Sequence, residues 1–149
     1  MSLSNQLSKP FPAKDIHFRV GAMTKDKSKC IPLAYLNARD VMRRFDEVVG
    51  VENWQCRYPF AGCCEISIRV GDSWITKANC ADETNIEGVK GQASGSFKRA
   101  AVLFGVGQYL YDIPNVWVSV DQYKNITKEA LEDLTKRLDT WQSQLYGER

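Results

Sequence analysis

Lysine and arginine stand side by side at Lys98-Arg99, within the stretch GSFKRAAVLFGVGQYLYDIP, and no acidic residue follows them until Asp112. Lys90 precedes Lys98 by eight residues. A helix through this region, at about 3.6 residues per turn, sets Lys90 about two turns before Lys98 along one edge, with Arg99 next to Lys98 and further round the helix. Fixed cations in a row neutralise phosphate oxygens, and each neutralised phosphate releases counterions. The chemistry these residues suit is contact with a nucleic-acid backbone, and the competing reading is a solvated helix surface. Arg39, Arg43, Arg69 and Lys77 complete the candidate set. A polar loop, TKDKSKC from residue 24, carries Lys25, Lys27 and Lys29 and reads either as a solvated connection or as a further phosphate contact.

Catalytic constellations are missing by comparison. His17 is the single histidine, so a Ser-His-Asp or Cys-His arrangement would rest on one residue of a strand, and a histidine-rich metal site lacks ligands. The five cysteines, Cys30, Cys56, Cys63, Cys64 and Cys80, are odd in number and include no Cys-x-x-Cys pair. They read as free buried thiols of a reduced chain, with Cys63 and Cys64 on opposite faces of a strand. A nucleophile at Cys63 or Cys64 is the remaining enzymatic reading. No phosphate-binding loop motif occurs, GVGQYL falls at a helix end, and Asp82-Glu83 sits where a helix N-terminus favours negative charge. The expectation is a non-enzyme without metal or cofactor.

The elements that must hold the cations follow from periodicity. With 149 residues, a net charge of +2 and 26% charged residues, the chain suits one domain that gathers its cations locally. No apolar run is long enough for a signal peptide or membrane span, which fits a cytoplasmic protein. Residues 1 to 15, with Pro10 and Pro12, read as a loose arm, residues 16 to 114 as the core, and residues 115 to 149 as an extended segment and a C-terminal helix. Residues 16 to 20 alternate as a short strand. From Pro32 to Gly50, Tyr35, Ala38, Val41, Phe45 and Val48 recur at helical spacing, with Arg39, Arg43 and Arg44 on the solvated side and Gly50 as a left-handed stop.

Residues 52 to 81 read as β structure, with Gly71-Asp72 as a type II′ turn. A two-residue loop there opposes Ile68 to Ile75 and Arg69 to Trp74, whereas a three-residue loop shifts the register by one. Arg69 and Trp74 on one face either stack a base or form a surface cation–aromatic pair. Thr84-Asn-Ile-Glu87 has capping-box form, so the long helix is expected to start at Thr84, with Ile86, Val89, Ala93, Phe97, Ala100 and Phe104 as its buried stripe. Its many small residues, Gly88 to Ser96, imply close approach of another backbone. Thr127 is placed to cap a last helix whose Leu131, Leu134, Leu138, Trp141 and Leu145 form a narrow apolar seam. The fold class is α+β: an antiparallel sheet, hairpin or meander, against a long helix, with a preceding helix and a C-terminal amphipathic one.

Three stretches, PFPAKDIHFRVG, AYLNARDVMRRFDEVVGVENWQ and ADETNIEGVKGQASGSFKRAAVLFGVGQYLYDIP, together resemble the single-strand-annealing recombination proteins of the Rad52/Rad22 superfamily, bacterial and phage branch. The likeness spans residues 10 to 114 in order. It implies homo-oligomers, rings among them, that hold single-stranded DNA in a basic groove and anneal complementary strands without ATP in recombination and break repair. A single-strand-binding protein is an implied further partner, and the cytoplasm or nucleoid of a bacterial host the implied location. Lys98-Arg99 match the family's DNA-contacting pair directly, and Lys90 matches another basic position. Val102 stands where animal members have a further arginine, and the family's first-helix arginine falls at Asp40, beside Arg39. The competing expectation is a non-enzymatic RNA-binding or protein-assembly module on the same fold.

Overall fold

The computed structural model describes residues 1–82 and 88–147, with the side chains of Val89 and Lys90 outside the description. The expected capping box at Thr84 to Glu87, and Ile86 with it, therefore lies outside the described residues. The chain separates into two compact units, Met1–Lys9 with Ala38–Gln108, and Pro10–Asn37 with Tyr109–Arg149.

The first unit contains α1 (Leu3–Ser8), α2 (Ala38–Val48), β3 (Trp54–Phe60), β4 (Cys63–Val70), β5 (Ser73–Cys80) and α3 (Val89–Val102). The three strands form an antiparallel sheet in the order β3-β4-β5, and α3 packs across it. The hairpin between β4 and β5 has the two-residue loop: Val70 pairs Ser73, Arg69 pairs Trp74 and Ile68 pairs Ile75. Gly71 takes φ +62° while Asp72 has no positive φ, which fits the type II′ turn. Cys64, Ile66 and Ile68 point to one side and are buried there with Phe97, Ala100 and Phe104. Phe45 anchors this core. It is wholly buried, lies 5.3 Å from the Trp54 ring and meets Phe104 edge-on at 6.0 Å.

Several expectations are corrected here. The helix expected from Pro32 begins at Ala38, because residues 29 to 35 are instead claimed by strand pairing. Pro32 is tolerated in the strand because its partner Val20 borders a register shift, where the ladder is already broken. The expected loose arm carries α1, capped by Ser2 through Asn5 N, with Leu7 buried. Arg44, expected on the solvated face, is buried. Its Nη1 donates to Leu7 O at 3.0 Å and Lys9 O at 2.6 Å, so the free carbonyls at the end of α1 supply its acceptors.

The second unit contains β1 (His17–Met23), β2 (Lys29–Tyr35), β6 (Val118–Ser119) and α4 (Lys128–Tyr146), with the sheet order β1-β2-β6. The first strand thus pairs with residues 29 to 35 rather than with the hairpin of residues 63 to 80. Thr127 caps α4 by accepting from Ala130 N at 3.2 Å, as its position in the sequence requires. Leu134 and Leu138 are buried, whereas Leu131 and Leu145 remain exposed. Gln142 secures the helix by donating to Phe11 O at 2.9 Å, and Phe11 N in turn donates to Tyr109 Oη at 3.0 Å. His17 is bound by Asn37 at 3.0 Å and lies 5.4 Å from the Tyr35 ring at a tilt of 30°, a packing role.

Candidate nucleic-acid interface

The C-terminal half of α3 carries the central cations. Ala100 and Ala101 are fully buried and Phe97 nearly so, and this fixes the helix's rotation on the sheet. Given that rotation, Lys98 is half-buried at the edge and Arg99 is exposed. The helix then stops in a Schellman motif. Gly105, at φ +92°, donates to Val102 O at 2.8 Å, and Val106 N reaches back to Ala101 O at 3.2 Å. Glycine is required at this turn, since its left-handed backbone is combined with a Ser8 Cβ only 3.3 Å from where a side chain would begin. Close packing also explains part of the small-residue run, because a Cβ on Gly95 would lie 3.3 Å from Ala81 Cβ.

Lys77 joins this end of α3. It opposes Ile66 and therefore lies on the helix-covered face of the sheet. Its Nζ donates to Leu103 O at 3.0 Å and stands 5.1 Å from the centre of the Phe104 ring. The cation satisfies a free terminal carbonyl and complements the negative end of the helix dipole. Arg99, in the last turn of α3, is favoured there by the same dipole.

Arg69 lies elsewhere. It and Trp74 face each other across the strands, both exposed, on the opposite face from Lys77. That open face also carries Arg57, whose Nε donates to Glu65 at 2.6 Å, and Ser67 hydrogen-bonded to Thr76 at 2.7 Å. Gln55, Cys56, Arg57, Glu65, Ser67 and Thr76 line a shallow groove of about 420 Å³ there. Glu65 holds Arg57 above the usual arginine range. Arg57 was missed by sequence reasoning; only the register, which places it opposite Glu65, identifies its partner. On α2, Arg39 is exposed, and Arg43 is exposed but ion-paired with Asp40 at 3.1 Å. Lys90 belongs to α3 by its backbone. Lys98, Arg99 and Lys77 thus gather toward one end of α3, while Arg69 is on the other side of the sheet.

The cysteines correct the all-free-thiol expectation. Adjacent Cys63 and Cys64 do face opposite ways, but Cys63 is directly opposite Cys80 and the two form a disulfide. Strand pairing made neighbours of residues that spacing alone did not relate. Cys30, Cys56 and Cys64 remain thiols. Burial pushes the Cys64 thiol up to about 11 and, with the nearby thiols, the Tyr58 hydroxyl up to about 12. Cys56 is likewise raised by burial. Thiols held protonated are poor nucleophiles, which weakens the enzymatic reading of Cys64. Among the described residues no His, Cys, Asp or Glu group is arranged to hold a metal ion. No helix among them is long and apolar enough to cross a membrane.

In the first unit an antiparallel sheet is crossed by a helix whose last turns carry Lys98 and Arg99, with Lys77 at its end. The chain belongs to the Rad52/22 family of double-strand break repair proteins, whose family model matches residues 1–67 and 60–129. It is 32% identical over 127 residues to the single-stranded DNA-binding protein DdrA of Deinococcus deserti, covering 82% of this chain and 63% of that protein. It is 29% identical over 135 residues to the single-stranded DNA-binding protein DdrA of Deinococcus radiodurans, covering 87% of this chain and 64% of that one. The chain therefore spans just under two-thirds of the length of these relatives. No solved structure matches it.

Proposed function

We propose that this chain binds single-stranded DNA and anneals complementary strands, without ATP and without enzymatic turnover, in recombination and break repair. Family membership carries the reading, together with relatives named for single-stranded DNA binding. Lys98 and Arg99 are the proposed primary phosphate contacts, with Lys90, Arg39 and Arg43 as further candidates. Lys77 and Arg69 complete the proposed set: Lys77 from its place at the end of α3, Arg69 from its exposed pairing with Trp74. Backbone contacts leave the bases free to pair, which annealing requires, and give little sequence preference.

We further propose that residues 1–149 act as one annealing module and assemble as a homo-oligomer, in the form of a ring. The exposed Leu131 and Leu145 of α4 support a contact between copies. A bacterial host's cytoplasm or nucleoid is the proposed location, and a single-strand-binding protein a proposed partner.

The test is annealing of two complementary labelled oligonucleotides without nucleotide, at two salt concentrations. Acceleration that fades with added salt is expected, because counterion release drives the contact. Lys98→Gln combined with Arg99→Gln should abolish it while leaving the assembled mass unchanged. Undiminished annealing by that variant refutes the site.

A further inference from the structure

The sheet of the second unit ends in two turns, each closed by a lysine at positive φ and braced by an aspartate carboxylate. In the first, Asp26 Oδ1 accepts from Thr24 Oγ1 at 2.7 Å, Ser28 Oγ at 2.7 Å and Ser28 N at 3.0 Å, and Lys27 is held at φ +61°. In the second, Asp121 Oδ1 accepts from Tyr123 N at 2.8 Å and Asn125 N at 3.0 Å, and Lys124 is held at φ +66°. The turns are neighbours. Lys29 pairs with Ser119, and Val120 N donates to Ser28 O at 3.0 Å, so the first turn leads into β2 where the second leaves β6. Left-handed backbone is uncommon for a lysine, and among the described residues Lys27 and Lys124 are the non-glycine examples.

Lys25, Lys27, Lys29 and Lys124 are all exposed, and the Tyr123 ring between them in sequence is 74% exposed. The aspartates build the turns rather than form ion pairs with these lysines. Four lysines against two aspartates leave the pair of turns positive. We infer that these turns form a second nucleic-acid contact, in which the four lysines meet phosphates of a strand and Tyr123 offers its ring to a base. Spaced point charges suit repeating phosphates, and an exposed aromatic beside them suits an unpaired base. An acidic peptide would need the charges alone and leave Tyr123 without a use. The inference rests on the proposed strand-binding function, but its residues belong to the other unit from Lys98 and Arg99.

The experiment measures binding of the full chain to a labelled single-stranded oligonucleotide across a salt series. Lys25, Lys27, Lys29 and Lys124 are replaced together by glutamine, which removes the charge and keeps an unbranched polar side chain at each turn position. Affinity is expected to fall at least tenfold, and the slope of log affinity against log salt to become shallower by up to about 3, at ~0.7 per lost phosphate contact. An unchanged slope overturns the inference while the strand-binding function stands. Failure of the unaltered protein to bind overturns both. Photo-crosslinking of the unaltered protein is independent of variant folding: adducts on Tyr123 are expected, and none between residues 118 and 128 overturns the inference. Loss of binding to a polyglutamate peptide with an unchanged oligonucleotide slope overturns it in favour of an acidic protein partner.

Discussion

Lys77→Met separates a helix-capping cation from a DNA-binding one. The substitution keeps the apolar stem over Phe104 and removes the charge that reaches Leu103 O at 3.0 Å. A charge-assisted bond to a terminal carbonyl in a solvated setting contributes about 0.5–1 kcal/mol after discounting for water. An exposed cation–aromatic contact adds roughly 0.5–1 kcal/mol. Since one ammonium makes both contacts, the two are not strictly additive, and a loss of about 1–1.5 kcal/mol is expected. For a chain of 149 residues this corresponds to a fall in Tm of about 3–6 °C. Thermal unfolding by circular dichroism reads the stability, and oligonucleotide affinity across a salt series reads the binding. If capping is the main work of Lys77, stability falls and the salt slope holds. An unchanged Tm with a slope shallower by about 0.7 refutes the capping argument and makes Lys77 a phosphate contact.

Phe45→Ala removes a ring buried between Trp54 and Phe104 and should cost about 3–5 kcal/mol in urea unfolding, whereas a loss under 1 kcal/mol would show that the core does not depend on it. Hydrogen bonds from Ser28 and Thr24 hold the Asp26 carboxyl at about 2, well below the ordinary aspartate value of 3.8. Its turn is therefore favoured fully above pH 4 and loses that support as pH falls through about 2, and a carboxyl midpoint near 4 by NMR would contradict the turn. Reduction of Cys63–Cys80, which spans 17 residues, should lower the urea midpoint by an amount equivalent to up to about 3 kcal/mol. An unchanged midpoint under reductant would show that strand pairing alone sets the hairpin's stability.

Local chemistry determined much of this protein from the sequence. Gly71-Asp72 marked the β4–β5 turn, but a two-residue and a three-residue loop differ by one in register, and strand pairing selected the first, with Ile68 opposite Ile75 and Arg69 opposite Trp74. Thr127 marked the start of α4 through a bond made three residues away, and Phe97, Ala100 and Phe104 marked the buried stripe by their spacing alone. Lys98 and Arg99 were legible as a pair for the same reason, since positions on one helix follow from its period.

Tertiary structure decided what depends on distant residues. Residues 32 to 35 have helical spacing, but they lie in β2 because β1 and β6 pair with it. Arg44 reads as a surface arginine until α1 brings two carbonyls to it across more than thirty residues of chain. Cys63 meets Cys80 only through strand register, and Lys77 meets the end of α3 only because that helix crosses its strand. Periodicity tells which side of an element a residue takes; the partner waiting on that side is set by how the elements pack, which a local pattern does not encode.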